Sequence, residues 1–199
     1  IAAGEVRALV GANGAGKSTF AKILGGLVRP DAGHFEIAGE LYCPRSKRDA
    51  EAAGLHVVHQ ELSQIPTLSV AENLFFGRLP NRWGWIDAAK LNERACNALE
   101  AVGLGDLDPQ EPLSGLGLGE RQLVAIASAL SLDCRLLVLD EPTAALTDPQ
   151  VEVICEHIRS WRRRGVGLIY ISHRLEELEV VADSITVLRD GRVAGGGRI

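Results

Sequence analysis

Two hydrophobic patterns alternate along the chain. Short apolar runs that contain β-branched residues and end at a glycine or polar residue predict buried strands at 6–10, 34–37, 55–59, 135–139, 167–171 and 184–188. Longer stretches with apolar residues three and four positions apart predict helices at 19–27, 69–76, 87–102, 120–132, 150–164 and 174–182. Asp87 is a suitable N-cap for the third helix, and Gly103 a suitable stop.

The order of these elements predicts the fold class. Strands alternate with helices at both ends of the chain, and the middle reads as helical. Such alternation favours a mostly parallel sheet flanked by helices. We therefore expect an α/β core from residues 1–66 and 133–199, with an inserted helical subdomain at 67–132.

Composition and charge narrow the function. Of the 199 residues, 46% are hydrophobic and 24% are charged, which supports a sizeable core. The net charge of -5 argues against a duplex-binding surface, so we expect no nucleic-acid partner. No apolar run reaches the roughly 18 residues of a membrane span, and the four cysteines form no CxxC pair. These features indicate reduced thiols in a cytosolic protein. Because the chain has no Met and opens directly in a strand, it resembles an internal fragment.

A glycine-rich loop lies between the first strand and the first helix. It contains Gly11, Ala12, Asn13, Gly14, Ala15, Gly16, Lys17, Ser18 and Thr19, which fits the pattern GxxxxGK[ST]. Glycines let successive backbone amides converge on an anion, and the helix N-terminus adds partial positive charge. Lys17 is expected to reach the β- and γ-phosphates, Ser18 to bind Mg²⁺, and Thr19 to add a phosphate contact. The alternative, a glycine turn that carries a lysine by chance, is disfavoured by the flanking strand and helix.

Two carboxylates follow the apolar strand at 135–139. Asp140 is expected to hold the metal and Glu141 to act as general base on the attacking water. Alone, a strand that ends in Asp-Glu is more often an ordinary solvated strand end. The phosphate loop earlier in the chain reverses that preference, and Pro142 ends the strand sharply.

Together these residues resemble the ATPases of ATP-binding cassette (ABC) transporters. The resemblance implies that Gln60 is the Q-loop glutamine, which touches Mg²⁺ and couples to the membrane partner. It implies that 145–148 form the D-loop, and that His173 is the switch histidine that contacts the γ-phosphate. ATP and Mg²⁺ are then the expected cofactors.

Several stretches are similar to monosaccharide importers of the ribose, galactose and xylose class, in which one polypeptide carries two cassettes. They are 59–62, 71–73, 84–87, 171–177 and 187–191. The resemblance implies an ATPase at the cytoplasmic face of the membrane that powers sugar import, as the first cassette of a tandem pair. It implies three partners: a second cassette, a membrane permease and, indirectly, a sugar-binding protein. Two alternatives stay open: an ABC ATPase that acts on ribosomes or DNA, and a hydrolysis-poor regulatory cassette.

The signature segment departs from the family pattern LSGGQ. The helix from Glu120 onward matches the helix that follows the signature, which sets Gly117 at the family serine and Gly119 at the helix entry. The resemblance implies that this segment clasps the γ-phosphate bound by the opposite cassette. Gly117 keeps an amide but lacks the hydroxyl, and Glu120 replaces a neutral glutamine. We expect the composite site completed by this segment to be slow. Leu113-Ser114-Gly115 is a decoy three residues earlier.

The family also carries an aromatic residue upstream of the phosphate loop that stacks on adenine. This chain starts too late to contain that residue. We therefore expect the chain alone to bind nucleotides weakly and with little preference among bases.

Overall fold

The computed structural model describes residues 1–59, 64–82, 84–131, 133–144 and 146–199, and these form two compact units. Unit 1 contains Ile1–Gln60, Asp133–Pro142 and Ile158–Ile199, and unit 2 contains Glu61–Leu132 and Thr143–His157. The strands are β1 (Val6–Val10), β2 (Phe35–Ile37), β3 (Glu40–Tyr42), β4 (Leu55–Val58), β5 (Asn81–Arg82), β6 (Trp85–Ile86), β7 (Leu136–Asp140), β8 (Gly167–Ile171), β9 (Ser184–Arg189) and β10 (Arg192–Arg198). The helices are α1 (Lys17–Leu24), α2 (Lys47–Ala52), α3 (Val70–Leu74), α4 (Ala88–Glu100), α5 (Leu118–Leu130), α6 (Asp148–Arg163) and α7 (Leu175–Val181).

Unit 1 is built on a six-stranded sheet in the order β10-β9-β1-β8-β7-β4. Every neighbouring pair is parallel except β10 with β9. The middle strands β7 and β8 are almost wholly buried and read as continuous apolar runs, as expected where a parallel sheet is covered on both faces. Leu9, Val138 and Ile171 on the sheet belong to one cluster with Ala21 and Leu24 of α1, which fixes the helix against the sheet.

Unit 2 is mainly helical. Ser69 and Glu72 form a capping box at the start of α3, and Asp87 accepts from the Lys90 amide at the start of α4. Helix α3 packs on both α4 and α5, and its residues Val70 and Leu74 are fully buried. Among the described residues of both units, no helix is long and apolar enough to cross a membrane.

The two units differ from the predicted division at two places. Residues 61–66 and 143–157 belong with the helical unit, whereas the sequence analysis placed both in the core. The second difference has a packing cause: a Cβ built on Gly119 would lie 2.9 Å from Gln150 Oε1 and 3.2 Å from Leu146 Cδ2. The segment before and within the first turn of α6 therefore packs closely on the start of α5, a long-range contact that hydrophobic periodicity does not report.

The glycine-rich stretch at the C-terminal end is a strand, not an irregular tail. Asp190 (φ 50°) and Gly191 (φ 73°) both have positive φ and form the two-residue turn of the β9–β10 hairpin, with Arg189 paired to Arg192. This is the turn that a right-handed strand twist favours, and Asp-Gly is a common sequence for it. The exposure of every residue in β10 hid the strand, because no apolar alternation marks it.

Candidate functional site

Three neighbouring parallel strands carry the candidate residues of unit 1. β1 lies beside β8, with Leu9 opposite Ile171, and β8 lies beside β7, with Ile171 opposite Asp140. Ligands of such sheets bind outside the carboxyl ends of the strands. The phosphate loop follows β1, His173 follows β8, and Asp140 with Glu141 ends β7. The fold therefore brings together side chains that are more than 120 positions apart.

Close backbone approach explains one glycine of the phosphate loop, and a positive φ explains another. A Cβ on Gly11 would lie 2.4 Å from the Leu188 carbonyl oxygen and 3.0 Å from Ala15 Cβ. Gly16 has φ 103° and is the N-cap of α1. Both requirements exclude side chains, so the loop can bend tightly enough to direct backbone amides toward an anion.

Lys17 and the start of α1 supply the positive charge of the site. The Lys17 ammonium is largely buried and donates to the carbonyl oxygens of Gly11 (2.7 Å) and Ala12 (3.1 Å). In the described structure, no side chain caps the N-terminus of α1. Its first backbone amides thus lack intrahelical acceptors and, with the helix dipole, favour a bound phosphate.

The remaining predicted loop residues surround this cation. Asn13, Gly14, Ser18 and Thr19 are exposed, whereas Ala15 is buried. Exposure of the tip and of the two hydroxyl residues leaves their polar atoms accessible to a ligand from solvent.

Asp140 lies at the end of β7 next to the phosphate loop. Burial raises the pKa of its carboxyl, while a hydrogen bond from Ser18 and the charges of His59 and Lys17 lower it, and the charge of Glu141 raises it. The Ser18 hydroxyl and the Asp140 carboxylate are thus already adjacent. Two oxygen donors in contact suit Mg²⁺, which prefers oxygen ligands and completes its octahedron with water and phosphate.

Glu141 and His173 face each other across β7 and β8. His173 Nδ1 lies 3.1 Å from Glu141 Oε1, and the Glu141 amide donates to the Ile171 carbonyl oxygen at 2.9 Å. Glu141 has φ 50°, which is uncommon for a residue with a Cβ. Strained backbone of this kind is concentrated at functional sites. The His173 side chain is 63% exposed and the Glu141 side chain 17%, so the histidine is the solvent-facing member of the pair.

Two further predictions fall outside the described residues. Gln60, expected to touch Mg²⁺, is one of them, and Ala145 of the expected D-loop is another. Their roles stay predictions. The preceding residue, His59, is described, and its charge acts on Asp140.

The signature segment in unit 2 begins helix α5. Gly117 is the N-cap and Leu118 the first helical residue, so the helix starts one residue before Gly119. The Gly117 amide donates to the Glu120 carboxylate at 2.8 Å. The decoy Leu113-Ser114-Gly115 is a separate 3-10 turn in which Leu113 is fully buried. Only the segment at Gly117 therefore stands at the helix entry.

Sequence reasoning missed the support that the phosphate loop receives from the β9–β10 turn. The Gly191 amide donates to the Ala15 carbonyl oxygen at 3.1 Å, and the Leu188 carbonyl oxygen lies where a Cβ of Gly11 would be. The Asp190-Gly191 dipeptide is a hairpin signal that could have revealed the turn. Nothing in the sequence indicates that this turn lies against the loop.

A glycine loop that opens an uncapped helix, with a carboxylate pair at the end of a parallel strand of the same sheet, defines a nucleoside-triphosphate-binding protein of the phosphate-loop class. The family model described as ABC transporter matches residues 1–144. The chain belongs to the ABC transporter family, which confirms the resemblance found in the sequence.

The similar curated proteins are named as sugar-import components. Ribose import ATP-binding protein RbsA of Chromobacterium violaceum is 49% identical over 192 residues, which is 96% of this chain and 38% of that protein. Ribose import ATP-binding protein RbsA 2 of Rubrobacter xylanophilus is 52% identical over 192 residues, 96% of this chain and 37% of that protein. A putative ribose/galactose/methyl galactoside import ATP-binding protein of Burkholderia cenocepacia is 47% identical over 192 residues, 96% of this chain and 37% of its own length. The chain thus spans less than half the length of these relatives.

Solved structures confirm the fold. An ATP-binding cassette of an ABC transporter in its ADP conformation has a TM-score of 0.84 at 24% identity, covering 99% of this chain and 81% of the other. A dimeric cassette in a post-hydrolysis state with ADP and Pi has a TM-score of 0.85 at 24% identity, covering 100% of this chain and 87% of the other. The predicted α/β phosphate-loop core with a helical insert is therefore confirmed as the ABC ATPase fold.

Proposed function

We propose that this chain binds ATP with Mg²⁺ and hydrolyses it to power import of a sugar through an ABC transporter. The observation that carries the proposal is the convergence of the phosphate loop, the Asp140–Glu141 pair and His173 at the carboxyl ends of three adjacent parallel strands. Hydrolysis of a phosphoanhydride needs an anion cradle, a metal-binding carboxylate and a group that orients water, and these residue types supply all three.

The cradle consists of the loop amides and Lys17. In the structure Lys17 donates to two carbonyl oxygens of its own loop, which positions the ammonium beside the space above α1. Binding of a triphosphate exchanges those carbonyl contacts for β- and γ-phosphate oxygens. The exposed hydroxyl of Thr19 and the amide of Gly14 add contacts to the phosphates.

Ser18 and Asp140 fit Mg²⁺ through their adjacent oxygens. Gln60 is proposed as a further contact to the metal. When bound, Mg²⁺ neutralises charge that develops on the β- and γ-phosphates. Asp140, with its raised pKa, gains a compensating positive charge for a buried carboxylate.

Glu141 is proposed as the general base. Its carboxylate lies within hydrogen-bond distance of His173, so a water placed between them and the γ-phosphate can pass a proton to Glu141. His173 holds that water and the γ-phosphate in line.

The partner proposals rest on similarity. Relatives named as ribose import proteins support a second cassette, a membrane permease and, indirectly, a sugar-binding protein as partners. A dimeric cassette among the similar structures supports a paired arrangement. The protein would then lie at the cytoplasmic face of the membrane.

One observation favours a restricted form of the regulatory alternative. Gly117 and Gly119 are expected to contact a nucleotide bound by the opposite cassette. The Gly117 amide, however, already donates to Glu120. We propose that the composite site completed by this segment hydrolyses ATP slowly, while the site built on Lys17 and Glu141 is the active one.

The direct test of the ATPase proposal is Lys17→Ala. Because Lys17 is the buried cation of the cradle, its loss is expected to lower ATP hydrolysis by the purified full-length protein at least about a hundredfold. Lys22→Ala, on the exposed side of the same helix, is the matched control and should hydrolyse at the wild-type rate. Equal rates for Lys17→Ala and wild type would overturn the assignment.

Copurification tests the transport proposal separately. A membrane permease should accompany the affinity-purified protein from detergent-solubilised membranes. Recovery with ribosomes or DNA instead would favour the other branch of the family.

A further inference from the structure

A buried carboxylate lies behind the loop that carries His173. Glu177 is only 6% exposed although it sits on the short helix α7. Its Oε2 accepts from the Tyr170 hydroxyl at 3.0 Å and from the Ser172 hydroxyl at 3.4 Å. Its Oε1 pairs with Arg174 Nη1 at 2.8 Å. A buried charge is costly unless it is paired and hydrogen-bonded, and here two hydroxyl donors and an ion pair compensate it.

The three partners of Glu177 alternate with the residues of the candidate site. Tyr170, Ser172 and Arg174 have contacts with Glu177, whereas His173, between the last two, has its contact with Glu141. The contacts themselves divide the segment. Glu177 holds the side chains on either side of His173, while the His173 ring is left to contact Glu141.

A further hydrogen bond closes the segment on itself. The Arg174 amide donates to the Ser172 hydroxyl at 3.0 Å, so both neighbours of His173 are tied to each other as well as to Glu177. Linked hydrogen bonds and an ion pair around a buried carboxylate favour one arrangement of the segment. Neither Glu177 nor its three partners contacts the phosphate loop through any of these bonds.

We propose that Glu177 is a positioning residue that fixes the direction of His173. The proposal rests on the proposed ATP hydrolysis, in which His173 acts on the γ-phosphate and the attacking water. A small misplacement of such a group lowers the rate of the chemical step more than the affinity for substrate. Loss of Glu177 thus lowers kcat and leaves KM for ATP nearly unchanged.

The test compares variants of the purified full-length protein, with the hydrolysis rate of Lys17→Ala subtracted as background. Glu177→Ala is expected to lower kcat about tenfold with less than about a twofold change in KM. Glu177→Gln, which keeps an acceptor oxygen for the two hydroxyls, should recover part of the loss. Glu176→Ala, an exposed carboxylate on the same helix, is the matched control and should keep the wild-type kcat.

A double variant distinguishes positioning from general structural support. If Glu177 acts through His173, the pair His173→Ala/Glu177→Ala should hydrolyse no more slowly than His173→Ala. An undiminished effect of Glu177→Ala in that background would overturn the proposal. If Glu177→Ala does not fold, Tyr170→Phe, which removes one hydroxyl from the network, should lower kcat about threefold by the same argument. A wild-type kcat for Tyr170→Phe would then overturn it.

The outcome also separates this inference from the proposed function. A slow His173→Ala with a wild-type Glu177→Ala contradicts only the positioning role. A wild-type kcat for His173→Ala contradicts the proposed role of His173 in hydrolysis, and with it the positioning role of Glu177.

Discussion

At the scale of single residues, close backbone approach and positive φ decide which positions of the phosphate loop must be glycine. Gly11 has no room for a side chain because the Leu188 carbonyl oxygen lies where a Cβ would be. Gly14, in contrast, has open space around it but a φ of 83°, so its constraint is conformational. Two glycines in one motif are therefore required for different physical reasons.

Gly11→Ala should damage the loop through this contact. A Cβ 2.4 Å from a carbonyl oxygen forces the loop away from β9, and overpacking of this kind costs about 1–3 kcal/mol. We expect a lower melting temperature and weaker binding of a fluorescent ATP analogue. Gly195→Ala is the control, since a Cβ there meets open space. Equal stability of both variants and wild type would show that the hairpin does not confine the loop.

The sequence could predict the loop residues but not their neighbours. GxxxxGK[ST] between a strand and a helix identifies Gly11 to Thr19, because the required residue types are local. The approach of Leu188 to Gly11 and of Gly191 to Ala15 joins segments about 176 positions apart. Local pattern carries no information about such pairs until the strand order is known.

At the scale of elements, helices α1 and α5 both have a glycine as N-cap, and they differ in whether a side chain accepts a hydrogen bond from the amides at the helix start. The start of α1 at Gly16 has no side-chain cap among its described residues, whereas at α5 the Gly117 amide donates to Glu120. A carboxylate in the first turn stabilises a helix but repels a second anion. The first helix start therefore suits a phosphate, whereas the second has its N-cap amide engaged and a negative charge in its first turn.

Glu120→Ala should release the second helix start. Without the carboxylate, the Gly117 amide becomes available and a negative charge leaves the signature. In a Lys17→Ala background, residual ATP hydrolysis by the full-length protein should rise several-fold, since it reports the composite site that this segment completes.

Loss of the cap should lower the free energy of unfolding by about 0.5–1 kcal/mol. Glu93→Ala, an exposed carboxylate on α4, is the control. A fall in stability with no change in residual hydrolysis would contradict the idea.

Element boundaries followed most closely from the sequence where a glycine or polar residue ends a mainly apolar run. The bounds predicted for β1 and β8 agree with the structure, because β1 lies between Glu5 and Gly11 and β8 is followed by Ser172. Helix α5 begins at Leu118, two residues before the predicted start, since its first turn is exposed and carries no apolar stripe. The prediction missed β3, β5, β6, α2 and β10. β5 and β6 have two residues each, β3 and α2 are short and mostly exposed, and β10 is wholly exposed.

At the scale of the whole fold of unit 1, a polar cluster ties segments from both ends of the chain. Glu5, before β1, accepts from the Ser184 hydroxyl at 2.6 Å, from the Ala2 amide at 2.6 Å and from Arg7 at 2.8 Å. Beside it, Asp183 accepts from the Val6 amide at 2.9 Å and pairs with Arg162 of α6 at 2.5 Å. The first and last parallel strands in the sequence are thus joined by carboxylates as well as by the ladder between β1 and β9.

The Glu5 cluster makes the stability of the fold depend on pH. The hydrogen bonds from Ser184 and Ala2, with a contribution from Arg7, lower the pKa of Glu5 from 4.5 to about 2. A carboxyl whose folded-state pKa is depressed stabilises the fold fully above its unfolded pKa, and this contribution is lost as pH falls through the folded pKa. Wild type should therefore exceed Glu5→Gln in free energy of unfolding above about pH 4.5, by roughly 1–2 kcal/mol for charge-assisted bonds at a partly exposed site.

Denaturant unfolding of both proteins between pH 2 and pH 6 measures this difference. The two stabilities should converge as pH approaches about 2, because the protonated Glu5 carboxyl and the carboxamide of the Glu5→Gln variant are both neutral and each keeps one carbonyl oxygen that can accept from Ser184 and Arg7. Glu179→Gln, which removes an exposed carboxylate from α7, controls for loss of one negative charge. A gap between wild type and Glu5→Gln that stays constant over the whole range would mean that packing around Glu5, and not its ionisation, joins the two ends of the sheet.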